Sequence, residues 1–226
     1  MNLENDKFDI LLVDDHAVVR AGYKAYLSLS ERIRTVYEAE RGEIACQLYN
    51  QYQPNVVIMD LSMPGIGGFE CIRRLMLRDQ NCKILVFSIY NDLIYVTRAI
   101  KAGARGYITK NSVPETLIAA VSQVASGGTY IDPVLAQQLA VNVATNTDVT
   151  DPLQPLSPRE FDVFCLLARG MTTRDAAEKL CLSYKTVCNH TTSVKEKLGI
   201  KTLAELSLLA ARQGIIDSPN IDRLTE

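Results

Sequence analysis

No apolar run in the 226 residues reaches the ~20 needed to cross a bilayer, so nothing here asks for a membrane. The opening MNLEND lacks the basic-then-apolar order of a secretory signal, and a cytoplasmic location is expected. The six cysteines, Cys46, Cys71, Cys82, Cys165, Cys181 and Cys188, include no Cys-x-x-Cys pair and no histidine at zinc spacing. That argues against a disulfide framework or a structural metal site and leaves reduced thiols. Charge of one sign is missing too. The formal net charge is −2, which excludes a uniformly basic coat for nucleic acid but leaves room for a local basic face.

What is present is enough apolar content, 47%, for a sizeable core. At ~100 to 200 residues per domain the length allows one or two domains, and the patterning supports two. Up to about residue 125, short apolar runs alternate with longer amphipathic segments. Strands are expected near 8–13, 33–37, 54–59, 83–87 and 105–108, and helices near 16–28, 41–52, 67–77, 91–102 and 113–126. Continuous apolar strands such as Val56-Val57-Ile58-Met59 and Ile84-Leu85-Val86-Phe87 fit a parallel sheet covered by helices on both faces. The expected fold is a doubly wound, five-stranded α/β domain whose ligands bind beyond the carboxyl ends of the strands.

The stretch FDILLVDDH ends a buried-strand pattern on two adjacent carboxylates, Asp14 and Asp15. Charges ~4 Å apart repel by about 4 kcal/mol at an effective dielectric near 20, so a positive partner is required. Asp60 ends the third expected strand and brings a further carboxylate to the same rim. Such an oxygen-rich cluster suits Mg²⁺, which takes one or two carboxylates plus waters and phosphate oxygens. Ser88 follows the fourth strand, and Thr109 and Lys110 follow the fifth. A phosphoryl group on Asp60 would find its charge offset by the metal and Lys110, with the Ser88 hydroxyl donating to one oxygen. The glycine- and proline-rich loop from Leu61 to Gly68 bends back on the site, and Ser62 is a candidate main-chain metal ligand.

Together the Asp-Asp pair, the strand-ending Asp60 with Met63-Pro64-Gly65 and Gly67-Gly68, and Ser88, Tyr107 and Lys110 resemble the receiver domain of two-component response regulators, over roughly residues 7–128. The resemblance implies a flavodoxin-like (CheY-like) fold. It implies a histidine kinase that phosphorylates Asp60, and Mg²⁺ held by Asp14, Asp15 and Asp60. It further implies that Lys110 pairs with the phosphoryl group and that Ser88 and Tyr107 form a switch. Tyr107 taken singly is as well explained by sheet packing. Asn111 stands where many receivers carry proline, and Ile89 is bulkier than the residue often found after the switch hydroxyl. Haloacid-dehalogenase-like phosphatases also use an aspartyl phosphate, but place their carboxylates two residues apart on the first strand, where Val13 cannot serve. An enzyme is therefore not expected.

Residues 129–155 read as a short helix, Pro133 to about Asn142, followed by the polar linker Ala144 to Pro152. Residues 156–226 are helical in pattern. Ser157-Pro158-Arg159-Glu160 is a capping box that opens a helix closed by Gly170. A helix from Thr173 to about Lys179 and another capped by Ser183 are joined by Cys181-Leu182-Ser183, the spacing of a helix-turn-helix. In the latter helix Val187, Val194 and Leu198 share an inward face, leaving Lys185, Cys188, Asn189, Thr192 and Ser193 outward. Asparagine can contact adenine and threonine a thymine methyl, while Lys185, Thr186, Lys195, Lys197 and Lys201 are expected on phosphates. His190 reads either as a phosphate contact or as half-buried support. Residues 183–201 hold four lysines against Glu196 alone, so the positive potential is local.

The segments LSPRE, AAEKL, SYKTVCNH and KLGI resemble the DNA-binding domain of the NarL/FixJ (LuxR-type) regulators, over about residues 154–214. Within that class CLS, YIDPVLAQQLA and GIID look closest to GacA/UvrY regulators. Cys188 stands where members often carry lysine. The resemblance implies a transcription regulator that binds double-stranded DNA and forms a homodimer when phosphorylated.

Overall fold

The structure, a computed structural model, describes residues 7–145 and 152–216, and the chain divides into compact units between residues 147 and 148. Among the described residues no helix is long and apolar enough to cross a membrane.

The first unit alternates strand and helix: β1 (Phe8–Val13), α1 (Ala17–Leu27), β2 (Ile33–Ala39), α2 (Gly42–Tyr52), β3 (Val56–Met59), α3 (Gly67–Arg78), β4 (Ile84–Ser88), α4 (Leu93–Lys101), β5 (Gly106–Thr109) and α5 (Pro114–Ala125). The strands are parallel in the order β2-β1-β3-β4-β5, and β1, β3, β4 and β5 are buried at every position. Full burial on both faces is why these runs are continuous rather than alternating. Ile10, Leu12, Ile58, Leu85, Phe87 and Ile108 pack against Leu117, Ala120, Val121 and Val124 of α5. Each such side chain contributes about 1.5 to 3 kcal/mol on leaving water. The chain order reverses between β1 and β3, which opens a crevice at their carboxyl ends.

The sheet has a sixth member. After the expected five, β6 (Tyr130–Ile131) pairs in parallel with Gly106 and Tyr107. Two residues are too short a run to show a period, so this strand was not legible beforehand. The helix that follows, α6 (Pro133–Thr145), runs past the expected Asn142 and packs on α4. Both elements therefore belong with the sheet, beyond the boundary expected at residue 128. Most of the expected linker, residues 146–151, lies outside the described residues.

The second unit holds α7 (Pro158–Ala168), α8 (Thr173–Leu180), α9 (Tyr184–Leu198) and α10 (Leu203–Arg212). Ser157 and Glu160 form the expected capping box, and Thr172 with Asp175 and Thr202 with Glu205 form two more. Ser183 caps α9 by accepting from the Thr186 amide. Phe161, Phe164, Ala176, Val187, Val194, Leu206 and Ala210 make the fully buried centre.

The bend after β3 depends on one close backbone approach. A Cβ at Gly68 would fall 2.3 Å from the Asp60 carbonyl oxygen and 2.6 Å from Leu61 Cα, both backbone atoms that cannot step aside cheaply. Gly68→Ala is expected to destabilise the first unit by about 1 to 3 kcal/mol in urea denaturation, the usual scale for overpacking. At Gly22, inside α1, nothing lies within 4 Å of an added Cβ. Gly22→Ala should instead stabilise by about 0.5 to 1 kcal/mol through helix propensity.

Candidate functional site

Register brings the acidic residues together. Val13 pairs with Met59, so the next residue on each strand, Asp14 and Asp60, emerges side by side. Both are buried, at 1% and 3% exposure, while Asp15 is half-buried. Donor atoms of Asp14, Asp15, His16 and Asp60 all lie within 4.8 Å of one another. The required positive partner is Lys110, whose Nζ donates to Asp14 Oδ2 at 2.6 Å and Asp60 Oδ2 at 2.7 Å. It reaches both with Asn111 following it. The Ser62 amide donates to Asp60 Oδ1 at 3.2 Å.

Burial pushes the Asp60 carboxyl above its usual range, with Lys110 opposing that shift and Asp14 adding to it. Burial also works against the Lys110 charge, but Asp60 and Asp14 outweigh it and hold the ammonium above its ordinary value. Lys110 therefore stays protonated, and ionised Asp60 is the strained member of the group. Asp15 Oδ1 is buried without a hydrogen bond, and His16 Nδ1 lies 2.9 Å from it. An unsatisfied carboxylate oxygen beside two other carboxylates is a donor set that fits a hard divalent cation.

Ser88 and Tyr107 lie on the next two strands, β4 and β5. Ser88 pairs with Thr109 in the sheet and is fully buried. Tyr107 is also fully buried, its ring inward and its hydroxyl donating to the Tyr90 carbonyl at 2.8 Å. The Tyr90 amide in turn lies 3.4 Å from Ser88 Oγ, and the Tyr90 ring stacks on Tyr95 of α4 at 4.2 Å. Burial pushes the Tyr107 phenol well above its ordinary value, so it remains a donor. The Thr109 hydroxyl bonds Ser112 at 3.0 Å, and Ser112 donates to Asp132. Ile89 is 54% exposed beside Ser88.

On α9, Lys185 and Asn189 are exposed, Thr192 is exposed with its hydroxyl turned to the Cys188 carbonyl, and Cys188, His190 and Lys195 are half-buried. Thr186 bonds the capping Ser183 hydroxyl at 2.8 Å, and Lys201 is exposed after the helix. Two assignments need correction. The Ser193 hydroxyl does not face outward but donates to Glu160 Oε1 at 2.6 Å, and Lys197 Nζ donates to Glu160 Oε2 at 2.6 Å. The reason is that α9 packs on α7 through Val187 and Val194, which swings the adjacent positions onto the carboxylate that caps α7. Burial alone would raise the Glu160 carboxyl, but Lys197, Ser193 and the Ser157 amide outweigh it and hold the pKa down to about 2.

Two participants were missed. Arg20 Nη1 donates to the Asp14 carbonyl at 2.6 Å and so fixes the turn that carries both acidic residues. His16 was visible in the quoted DDH run, next to Asp15. Arg20 left no signal beyond being one charge on an amphipathic helix.

Residues 10–122 match the family described as response regulator receiver domain, and residues 154–210 match bacterial regulatory proteins of the luxR family. Response regulator GacA of Pseudomonas aeruginosa is 38% identical, over 92% of this chain and 98% of its own length. Transcriptional activator protein ExaE of Pseudomonas putida is 40% identical, over 92% and 97%. A crystal structure of a LuxR-family two-component response regulator from Aurantimonas sp. SI85-9A1 superposes with a TM-score of 0.59 at 35% identity, covering 61% of this chain and 99% of that one.

Two measurements follow from these charges. Because the Asp60 carboxyl is raised, its ionised form costs stability above its unfolded pKa. Asp60→Asn should raise the thermal midpoint of the first unit without Mg²⁺. Added Mg²⁺ should stabilise the wild type, by about 2.7 kcal/mol at a hundredfold excess over Kd, and the variant less. Glu160 behaves oppositely. Its folded pKa is depressed, so its contribution, on the order of 3 kcal/mol, is present above the ordinary value of 4.5 and fades as pH falls toward about 2. Acid titration of unfolding should show that loss in wild type and little of it in Glu160→Gln.

Proposed function

The chain belongs to the LuxR-type two-component response regulators, DNA-binding regulators of transcription, and on that premise we propose that Asp60 is the phosphoryl acceptor and α9 the element that reads double-stranded DNA. The observation that carries the reading is Lys110 held at 2.6 and 2.7 Å from Asp14 and Asp60, beside the unsatisfied oxygen of Asp15.

Asp14, Asp15, Asp60 and the main chain of Ser62 are the residues that would hold Mg²⁺. When bound, the ion shields charge on Asp60 and on the phosphoryl oxygens. The donor is a phosphohistidine of a sensor kinase. An ionised Asp60 oxygen attacks phosphorus, the O–P bond forms, the P–N bond breaks, and the imidazole leaves with the electron pair. Lys110, already charged and within reach, then pairs with a phosphoryl oxygen. The Ser88 hydroxyl donates to another, and Tyr107 stays packed inward behind it. Water does not turn the site over as an enzyme would; one phosphoryl group is loaded per chain and acts as a switch.

Asn189 and Thr192 on the exposed side of α9 are proposed to meet base edges, with Lys185, Thr186, Lys195 and Lys201 on phosphates and Cys188 at the edge of that face. The tie to Glu160 makes Ser193 and Lys197 supports of the helix rather than readers. Two copies would occupy half-sites about one helical turn apart, and phosphorylation would favour that dimer by a few kcal/mol. A regulator acting on DNA in this way works in the cytoplasm.

Incubation with acetyl phosphate and Mg²⁺ should add one phosphoryl group per chain by intact mass and tighten binding to DNA selected from a random pool. Asp60→Asn should do neither, and an unchanged affinity after loading would defeat the proposal. Asn189→Ala is expected to cost about 1 to 3 kcal/mol on the selected site and little on unrelated DNA. Lys185→Ala should weaken both and lower the log-log salt slope by about 0.9.

A further inference from the structure

The packing of α2 on α3 assembles a group of thiols that the phosphoryl chemistry does not use. Cys46 of α2 and Cys71 of α3 face each other with Sγ···Sγ 3.9 Å, although 25 residues apart in the chain. The approach is possible because α2 begins at Gly42, where an added Cβ would lie only 3.0 Å from Cys71 Cβ. The two thiols differ in environment. Cys46 is half-buried, whereas Cys71 is buried and its Sγ lies 3.4 Å from the Gly42 carbonyl. Cys82, also buried, adds its influence to Cys71.

We propose that Cys46 and Cys71 form an oxidisable dithiol site in which a hydroperoxide attacks through Cys46 and an intramolecular disulfide with Cys71 results. The Cys46 thiolate attacks the terminal peroxide oxygen; an S–O bond forms, the O–O bond breaks, and the departing hydroxide or alkoxide takes up a proton. Cys71 sulfur then attacks Cys46 sulfur, the S–S bond forms, the S–O bond breaks, and hydroxide leaves with the Cys71 proton as water. Two thiols lose two electrons and the hydroperoxide gains them. The sulfurs must close from 3.9 Å to the ~2.05 Å of a disulfide.

The electrostatics favour this division of labour. Hydrogen bonding from Cys71 lowers the Cys46 thiol most, burial opposes, and Arg74 and Arg78 of α3 help, leaving it at about 7. The Cys71 thiol is pushed up, first by its bond to Cys46 and then by burial, so it keeps its proton until Cys46 has reacted. A thiol near neutral pKa that is partly open to solvent is the form in which cysteine reacts with peroxide. The bond would tie α2 to the helix that starts where the Asp60 loop ends.

The test is peptide mapping of the full-length protein after hydrogen peroxide at pH 7, with free thiols alkylated. Expected is a Cys46–Cys71 crosslinked peptide, reversed by dithiothreitol, forming roughly ten times faster than oxidation of a thiol of ordinary pKa. Cys71→Ser should trap Cys46 as a sulfenic acid captured by dimedone, and Cys46→Ser should leave Cys71 unoxidised. Recovery of both as alkylated thiols at doses that oxidise the exposed Cys181, or a crosslink from Cys46 to another cysteine, overturns the proposal. Should either serine variant unfold, the wild-type map alone decides between these outcomes.

Discussion

One ammonium between two buried carboxylates organises the first unit. Lys110 follows β5 and reaches both Asp14 and Asp60, and at Asp60 its charge opposes the rise in pKa that burial causes. Removing that ammonium would leave buried carboxylate charge uncompensated, at a cost of about 3 to 5 kcal/mol. The same group is poorly satisfied as it stands, because burial raises Asp60 and Asp15 Oδ1 has no hydrogen bond. That combination of rigid placement and unmet charge suits the cation and phosphoryl group proposed for the site.

Everything around the triad acts by placing it. The β1–β3 register sets the aspartates side by side, Arg20 holds the Asp14 carbonyl, and Gly68 lets α3 begin against the Asp60 backbone. From there a chain of contacts runs outward: Ser88 to the Tyr90 amide, Tyr90 to Tyr107 through its carbonyl, and Tyr90 onto the ring of Tyr95 on α4. In the first link of that chain Ser88 Oγ is the acceptor, so its O–H can donate elsewhere while the link to Tyr90 persists.

The second unit uses a buried carboxylate for a different end. Glu160 satisfies the first turn of α7 and at the same time anchors α9 through Ser193 and Lys197. Its cost of burial is met by an ammonium, a hydroxyl and a backbone amide, so the carboxylate stays ionised and α9 keeps a fixed setting. Lys197 is thereby tied to Glu160 although its side chain is exposed, while Lys185 and Lys201 are exposed as well.

Strand and helix order, the capping of α7 and α9, and the convergence of Asp14, Asp60, Ser88 and Lys110 on strand ends were all readable along the chain. Each depends on neighbours in sequence: apolar runs, a serine three residues before a glutamate, a carboxylate directly after a strand. Tertiary structure alone decided the rest. The two-residue β6 exists because the edge of β5 offers it hydrogen bonds, not because its own residues demand a strand. Helical spacing put Ser193 on an angle but could not say that Glu160 of another helix waited there. Cys46 and Cys71 meet only because α2 and α3 pack closely at Gly42. Periodicity records which face of an element is buried; which side chain it meets is set by packing between segments far apart in the chain.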